Sequence, residues 1–401
     1  MTTVIVIGGG IAGCSTAFAL AQRGIQVTLL EQHAEIAQEA SGNPLAMLYP
    51  KLSVKPSMQT VLSMQAYDFT VNWLKNLPNH VAFFHACGQI QLAFNAAEQA
   101  KQDALWQAEY LHKNAWFCDF LSADEASELA GIALNTGGFF LKQAGWLKPQ
   151  ALCQALVSQA NIRIFGISKA LSIEKTSANW RVNTQNAQFE ADNVVICNAN
   201  DIKQFGFCQS AHITSVRGQI NFFAENVASQ SLKTIVCSDH FLSPSVDGMH
   251  SFGTSYAPNN LNPEISAQDT QYNVAALKRI SPVIADHIQA DNLAARVAWR
   301  SQTLDYMPLA GQLLDEEMLR KNPPRYNANP AHLPWLPGLY VNAGHGSKGM
   351  MTAPLCGELI ASLICQTALP ISEAIASRLN PSRFCLRAIG LKQLAATLYH
   401  F

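Results

Sequence analysis

The chain has 401 residues, of which 49% are hydrophobic and only 14% charged, and its formal net charge is −1 at pH 7. That length suits two domains, and so much apolar side chain excludes a disordered polypeptide. The near-neutral balance excludes a nucleic-acid binder of the globally basic kind but leaves room for a local basic patch.

VIVIG, from Val4 to Gly8, is a short β-branched run suited to a buried parallel strand. A helix is expected over residues 11–23, with Gly24 as its stop, and then a second strand, QVTLLE. A polar, proline-bearing loop over residues 40–56 leads to a helix over residues 57–77. Residues 81–91 and 216–256 hold strand-like pieces joined by Gly, Asn and Asp turns, among them SVRGQINFF, TIVCSDHFLSP and MHSFGTSY. They read as an antiparallel sheet in a second domain. Residues 162–198 read as strands crossing back, ending in the buried strand NVVICNAND. A late strand, GLYVNA, passes through GHGSKG into the helix MMTAPLCGELIASLI, so the chain returns to its first domain.

The expected class is α/β, with a discontinuous Rossmann-like domain over residues 1–80, 141–212 and 325–401. A substrate domain built on an antiparallel sheet takes residues 81–140 and 213–324. The ten cysteines contain no CxxC pair, and several lie in apolar runs, as Cys197 does in VVICNA, which suits reduced core thiols of a cytoplasmic protein. The eleven histidines show no HxxxH or HExxH spacing, and no metal is expected. Residues 4–7 lack the basic flank of a signal peptide, and the apolar stretch 353–364 contains Glu358 and is too short to span a bilayer, so no membrane association is expected.

Gly8-x-Gly10-x-x-Gly13 follows the first strand and opens the first helix. Gly8 permits the tight turn, Gly10 lets the backbone approach a pyrophosphate, and Gly13 lets helix and strand pack closely. The helix N-terminus, at Ile11 and Ala12, offers unpaired N–H groups to phosphate. Glu31 lies 21 residues after Gly10, followed by Gln32, where an acid can accept from ribose hydroxyls. The motif alone does not separate FAD from NAD. Its place at the start of the chain, the matching glycine turn near the end and the loop Ser41-Gly42-Asn43 favour FAD.

The stretches VIVIGGGIAGCSTAFALAQRG, EASGNPLAMLYP, GWLKP, VRGQI and GLYVNAGHGSKG together resemble the D-amino-acid oxidase/glycine oxidase superfamily. Within it, ASGNPLAMLYPKL, TLDYMPLAG, GSKGMMTAPLCGELIA and LNPSRF resemble the FAD domain of MnmC, the tRNA wobble-uridine modification enzymes. The resemblance implies that Ser41, Gly42 and Asn43 border the isoalloxazine of a noncovalently bound FAD. Gly344, Gly346, Ser347, Lys348 and Gly349 would set a helix start and a lysine against the flavin N1/C2 carbonyl, where reduced flavin carries negative charge. MnmC-like sequences tend to have arginine at Lys348, and a solvated loop lysine is the alternative there. Arg300 matches the arginine that grips a substrate carboxylate, its alternative being a structural ion pair with Asp305 or another acid. Tyr256 could line the pocket or pack in a core; Arg217 and His345 read more as structural groups. Arg378, Arg383, Arg387 and Lys392, with no acid after Glu373, could meet phosphates or form a solvated helix face.

The reaction so implied is oxidation of 5-carboxymethylaminomethyl-(2-thio)uridine at the tRNA wobble position, giving glyoxylate and 5-aminomethyluridine. The given sequence opens directly on the flavin strand, which fits either a stand-alone oxidoreductase, with a separate methyltransferase as partner for the product, or a fragment of a longer protein. An oxidase of free glycine, sarcosine or a D-amino acid remains the rival, as does a flavin-binding subunit without turnover of its own. The absence of a nucleophile–base pair weighs against none of these, because the flavin carries the hard step.

Overall fold

The computed structural model describes residues 2–108, 111 and 118–399. In chain order, the elements that build the site are β1 (Thr3–Ile7), α1 (Ile11–Ala21), β2 (Gln26–Leu30), α2 (Met58–Asn76), β3 (Ile162–Phe165) and β4 (Asn193–Ile196). There follow β5 (Ile213–Ala224), α3 (Ala267–Ile280), β6 (Ala294–Thr303), β7 (Leu309–Leu314), β8 (Trp335–Ala343) and α4 (Gly349–Cys365).

Six strands form the first sheet, in the order β7-β8-β4-β1-β2-β3, and all are parallel except β7. The β-branched run of β1 is buried on both faces, as a central parallel strand requires. α1 carries mostly Ala, Gly, Ser, Thr and Cys, so other backbones can come close. A Cβ at Gly357 of α4 would stand 2.9 Å from the Thr16 amide nitrogen. α2 closes the layer with Ser57 as its N-cap, and Thr70 donates to the Met351 carbonyl at 2.7 Å. On the opposite face a three-stranded antiparallel sheet (Ala170–Lys175, Trp180–Thr184, Gln188–Ala191) buries Trp180, whose indole donates to the Pro337 carbonyl at 2.9 Å.

The second sheet has nine strands. At its heart β5 pairs antiparallel with β6 along one edge, and with Ala257–Pro258 and Met249–Gly253 along the other. The sheet is antiparallel as expected save one pair, Ile235–Cys237 with Gln89–Leu92, which is parallel. α3, which the sequence reading left out, packs on β5 through a buried amide network. Gln219 donates to Thr270 Oγ1 at 2.9 Å, and Asn273 donates to the Gln219 carbonyl and to Asn221 Oδ1.

The expected segments and the sheets part company at β7. It falls within the expected substrate segment 213–324, yet it is hydrogen-bonded to β8 at the edge of the first sheet. The chain leaves β7, passes through a helix at Glu316–Lys321 and returns antiparallel as β8, so both strands extend the first sheet. The chain's last helices pack beneath it. There two of the tail arginines prove to be tied to one carboxylate: Arg383 is fully buried, donating to both oxygens of Asp305 at 2.8 and 3.0 Å, and Arg387 reaches the same carboxylate at 2.8 Å, while Lys392 is exposed. Burial alone would raise the Asp305 pKa, but the hydrogen bonds and charge of Arg383, then Arg387, hold it down to about 2. These two arginines are therefore not a phosphate-facing surface.

All ten cysteines are free, eight of them buried. Among the described residues no helix is long and apolar enough to cross a membrane, and no cluster of ligating side chains could hold a metal ion. His112 and His400 lie outside the described residues.

Candidate active site

The first sheet's carboxyl edge opens into a cavity of about 450 Å³, walled by the β1–α1 turn, Glu31, the segment 197–201, β6 and the turn before α4. At the β1–α1 turn Gly8 has φ +105°, a conformation costly for any side-chain-bearing residue, and a Cβ there would press on the Cys197 carbonyl oxygen at 2.8 Å. A Cβ at Gly13 would collide with the Gly8 carbonyl oxygen, so α1 can pack this close only with glycine. At Gly10 the nearest atom to such a Cβ is Ser41 Oγ, at 3.4 Å, and the space beyond belongs to the cavity. The Ile11 amide donates to Ser41 Oγ at 3.0 Å. The amides of Ala12 and Gly13 then stand at a helix start with no intrahelical acceptor, a ready cradle for a pyrophosphate.

Glu31 is 7% exposed, and its carboxylate is fixed by the backbone of both flanks. Oε2 accepts from the Gly9 amide at 2.7 Å and Oε1 from the His33 amide at 2.9 Å. Each oxygen keeps a lone pair for a ribose hydroxyl. Gln32 lines the same stretch of wall and is exposed. Three further wall residues carry orphaned groups: the Asn198 side-chain amide, Asn200 Oδ1 and Ser301 Oγ are buried without a hydrogen-bond partner. Polar atoms in that state need a polar occupant. Together with the glycine cradle they fit a dinucleotide cofactor.

The C-terminal turn closes the cavity. Gly344, His345, Gly346 and Gly349 line it, whereas Ser347 points away and is exposed. His345 Nε2 donates to Asn342 Oδ1 at 3.0 Å while its Nδ1 pairs with Thr352 Oγ1 at 2.9 Å, and Asn342 Nδ2 in turn donates to Thr16 Oγ1 of α1 at 2.9 Å. Burial pushes the His345 pKa down to about 3, so the ring is a neutral link between the turn and α1. Lys348 is not a solvated loop lysine. Its Nζ lies 3.2 Å from the centroid of the Tyr49 ring and donates to the Tyr49 carbonyl at 3.3 Å, and burial brings its pKa down to about 7.

Arg300 sits in the wall on β6 with its guanidinium laid over Gly218 of β5. It donates to Thr254 Oγ1 and to the Ser255 carbonyl at 3.4 Å. Asp305, the ion-pair partner considered for it, is held by Arg383 and Arg387, and Arg300 has no carboxylate partner among the described residues. Burial presses its pKa below the ordinary value, opposed by the nearby hydroxyls of Tyr49 and Tyr256. Arg217 is spent on structure, with Asp269 and the Asn262 carbonyl as partners. Tyr256 is neither packed in a core nor part of the cavity wall. It is 55% exposed, and its hydroxyl accepts from Gln302 Nε2 at 3.0 Å.

Ser41 thus joins the site, but Gly42 and Asn43 do not line its cavity; Asn43 borders a separate one of about 530 Å³. The reason is a residue the sequence reading missed. Arg296, at the start of β6, donates to Asn43 Oδ1 at 2.6 Å and to the Gln38 and Glu39 carbonyls at 2.7 Å each, turning this loop segment outward onto itself. Tyr49 and Asn342 were also missed, because a tyrosine in a loop and an asparagine in a strand carry no spacing signal.

The family described as FAD dependent oxidoreductase matches residues 3–363. The chain is 37% identical over 402 residues to the tRNA 5-methylaminomethyl-2-thiouridine biosynthesis bifunctional protein MnmC of Methylobacillus flagellatus, covering 98% of this chain and 61% of that protein. It is 38% identical to the protein of the same name from Pseudomonas syringae pv. tomato, covering 96% and 59%. The chain therefore spans about three fifths of the length of these curated relatives. Its fold is that of glycine oxidase from Geobacillus kaustophilus (TM-score 0.76, 21% identity, 96% of this chain and 99% of that one). Iminodiacetate oxidase from Chelativorans sp. BNC1 shares it too (TM-score 0.74, 16% identity, 92% and 97%). With 361 of its residues inside the family match and a dinucleotide cradle intact, the chain belongs to the FAD-dependent oxidoreductase family.

Proposed function

We propose that this chain oxidises the carboxymethylaminomethyl side chain of 5-carboxymethylaminomethyl-(2-thio)uridine at the tRNA wobble position, leaving 5-aminomethyl-(2-thio)uridine and releasing glyoxylate. The observation that carries the reading is Arg300, a half-buried guanidinium in the cavity wall with hydroxyl and carbonyl partners but no carboxylate among the described residues. An N-linked glycine offers the carboxylate it lacks, and the fork suits it geometrically. The similarity to the MnmC proteins favours a modified tRNA over a free amino acid as the bearer of that glycine. Methylation of the product is assigned to a methyltransferase outside these residues.

Gly8, Gly10, Ala12, Gly13, Glu31 and Ser41 would hold FAD without a covalent link, and FAD so held would supply the two-electron acceptor. Arg300 anchors the carboxylate and so fixes where the adjacent methylene lies. Lys348 is not among the residues that line the cavity; held on Tyr49 beside the turn that closes it, it contributes positive charge near the site. The methylene gives up a hydride, the nitrogen its proton, and water adding across the resulting C=N bond frees glyoxylate.

Incubating the FAD-loaded protein with tRNA bearing the carboxymethylaminomethyl group, followed by nucleoside mass analysis, tests this. The expected result is conversion to the aminomethyl nucleoside with matching glyoxylate. Fast turnover of free glycine or sarcosine, with no glyoxylate from the tRNA, would transfer the assignment to a free amino-acid oxidase.

A further inference from the structure

At the end of β6, six residues beyond Arg300, the chain makes a turn over residues 303–307 that displays Tyr306 to solvent. Tyr306 has φ +58°, a left-handed conformation that a bulky residue adopts only at a cost, and its ring is 59% exposed. The turn is heavily secured. Thr303 Oγ1 donates to the Met307 carbonyl at 2.7 Å, Asp305 accepts from the Met307 amide at 3.3 Å, and buried Arg383 clamps both Asp305 and the Met307 carbonyl, each at 2.8 Å. Nothing apolar is gained by holding this ring in water, so the strain is not maintained for packing.

Its neighbours give it a context. Lys51 Nζ lies 5.8 Å over the Tyr306 ring and close enough to Lys348 to depress that lysine's pKa further after burial. Leu304, 69% exposed, and Tyr256, 55% exposed and bonded to Gln302, flank the same strand end. Gln302 is bridged to the His345 backbone at the turn closing the cavity. An exposed aromatic face beside an exposed cation, next to the strand end bridged to the turn that closes the cavity, matches how single-stranded RNA is held, by base stacking and phosphate pairing.

We propose that Tyr306 is a stacking platform for a nucleobase flanking the wobble uridine, with Lys51 meeting the adjoining phosphate. This rests on the tRNA reading above and names how the loop would be gripped. Tyr306→Gly removes the ring and the backbone strain together, so the variant should fold at least as well as the parent. With a fluorescent anticodon stem-loop RNA lacking any modification, Tyr306→Gly should bind about tenfold more weakly and Tyr306→Phe about as well as the parent. Lys51→Gln should flatten the log–log salt slope by about 0.7. In turnover, Tyr306→Gly should lose about tenfold more kcat/KM on modified tRNA than on the free nucleoside. Equal binding by the parent and Tyr306→Gly, or equal losses on tRNA and nucleoside, would overturn the platform. A parent that binds the stem-loop but oxidises neither substrate would instead overturn the proposed reaction, leaving the platform to be judged on binding.

Discussion

Replacing Gly218 by alanine tests Arg300 without removing it. Gly218 lies in the middle of β5 and is not among the residues with positive φ, so alanine fits the backbone and should add slightly to strand stability. The new Cβ would stand 2.6 to 2.8 Å from the guanidinium nitrogens and carbon of Arg300. Ordinary contact needs about 3.5 Å, so the fork must retreat by roughly 0.8 Å. It is the far end of a flexible side chain and can move, which spares folding but spoils its aim. A misplacement of about 1 Å can cost about 100-fold in rate, and the expected loss in kcat/KM is about 10- to 100-fold, or roughly 1.4–2.7 kcal/mol. Anaerobic stopped-flow measurement of flavin reduction reads this directly, with the flavin absorbance ratio and melting temperature as controls. A Gly218→Ala enzyme within twofold of the parent, with flavin and fold intact, would show that the carboxylate is held elsewhere.

Glu31→Ala should weaken FAD binding by about 1–3 kcal/mol, measured by titrating apoprotein; an unchanged dissociation constant would remove Glu31 from the ribose. Acid precipitation should release all flavin into the supernatant, and colour left in the pellet would contradict a noncovalent link. The His345 pKa is lower in the fold, about 3, than the ordinary 6.5, so the unfolded chain takes up the proton first and stability falls as pH drops from about 6.5 toward 3. Urea midpoints should show about 2 kcal/mol lost between pH 6.5 and 5 from this group, and His345→Gln should flatten that part of the profile. Arg383→Met would leave Asp305 partly buried with only Arg387, costing about 3–5 kcal/mol in chemical denaturation; a cost under 1 kcal/mol would mean that the turn after β6 stands without the clamp.

The parts of the site that were legible in the sequence are those where one residue type is forced by backbone geometry. Gly8 and Gly13 announce themselves because no Cβ fits at either position, and Glu31 because strand length fixes its distance from them. Gly346 was legible for another reason, its φ of +57°, since a Cβ there or at Gly349 would meet only ordinary contacts. What stayed hidden depends on contacts distant in sequence. Arg296 meets residues 38–43 across more than 250 positions, so nothing local marks it. The tail arginines read as a basic surface because their counter-charge, Asp305, lies in another segment altogether. α3 escaped because its buried face is made of Thr and Asn as well as Ala, Leu and Ile, which blurs the apolar period.

β6 is fastened to the cofactor domain at both ends: Arg296 clasps the loop that caps α1, and Gln302 bridges to the turn at His345. Arg300 lies between those two attachments. In the proposed reaction these attachments would keep the fork at a set distance from the flavin ring, and that distance would act as a ruler. A substrate whose carboxylate is one bond from the carbon to be oxidised would fill that length. A homologue with one more methylene would overshoot by about 1.5 Å and present the wrong carbon. Chain length between acid and amine, more than the identity of what the amine carries, is what such a site reads first.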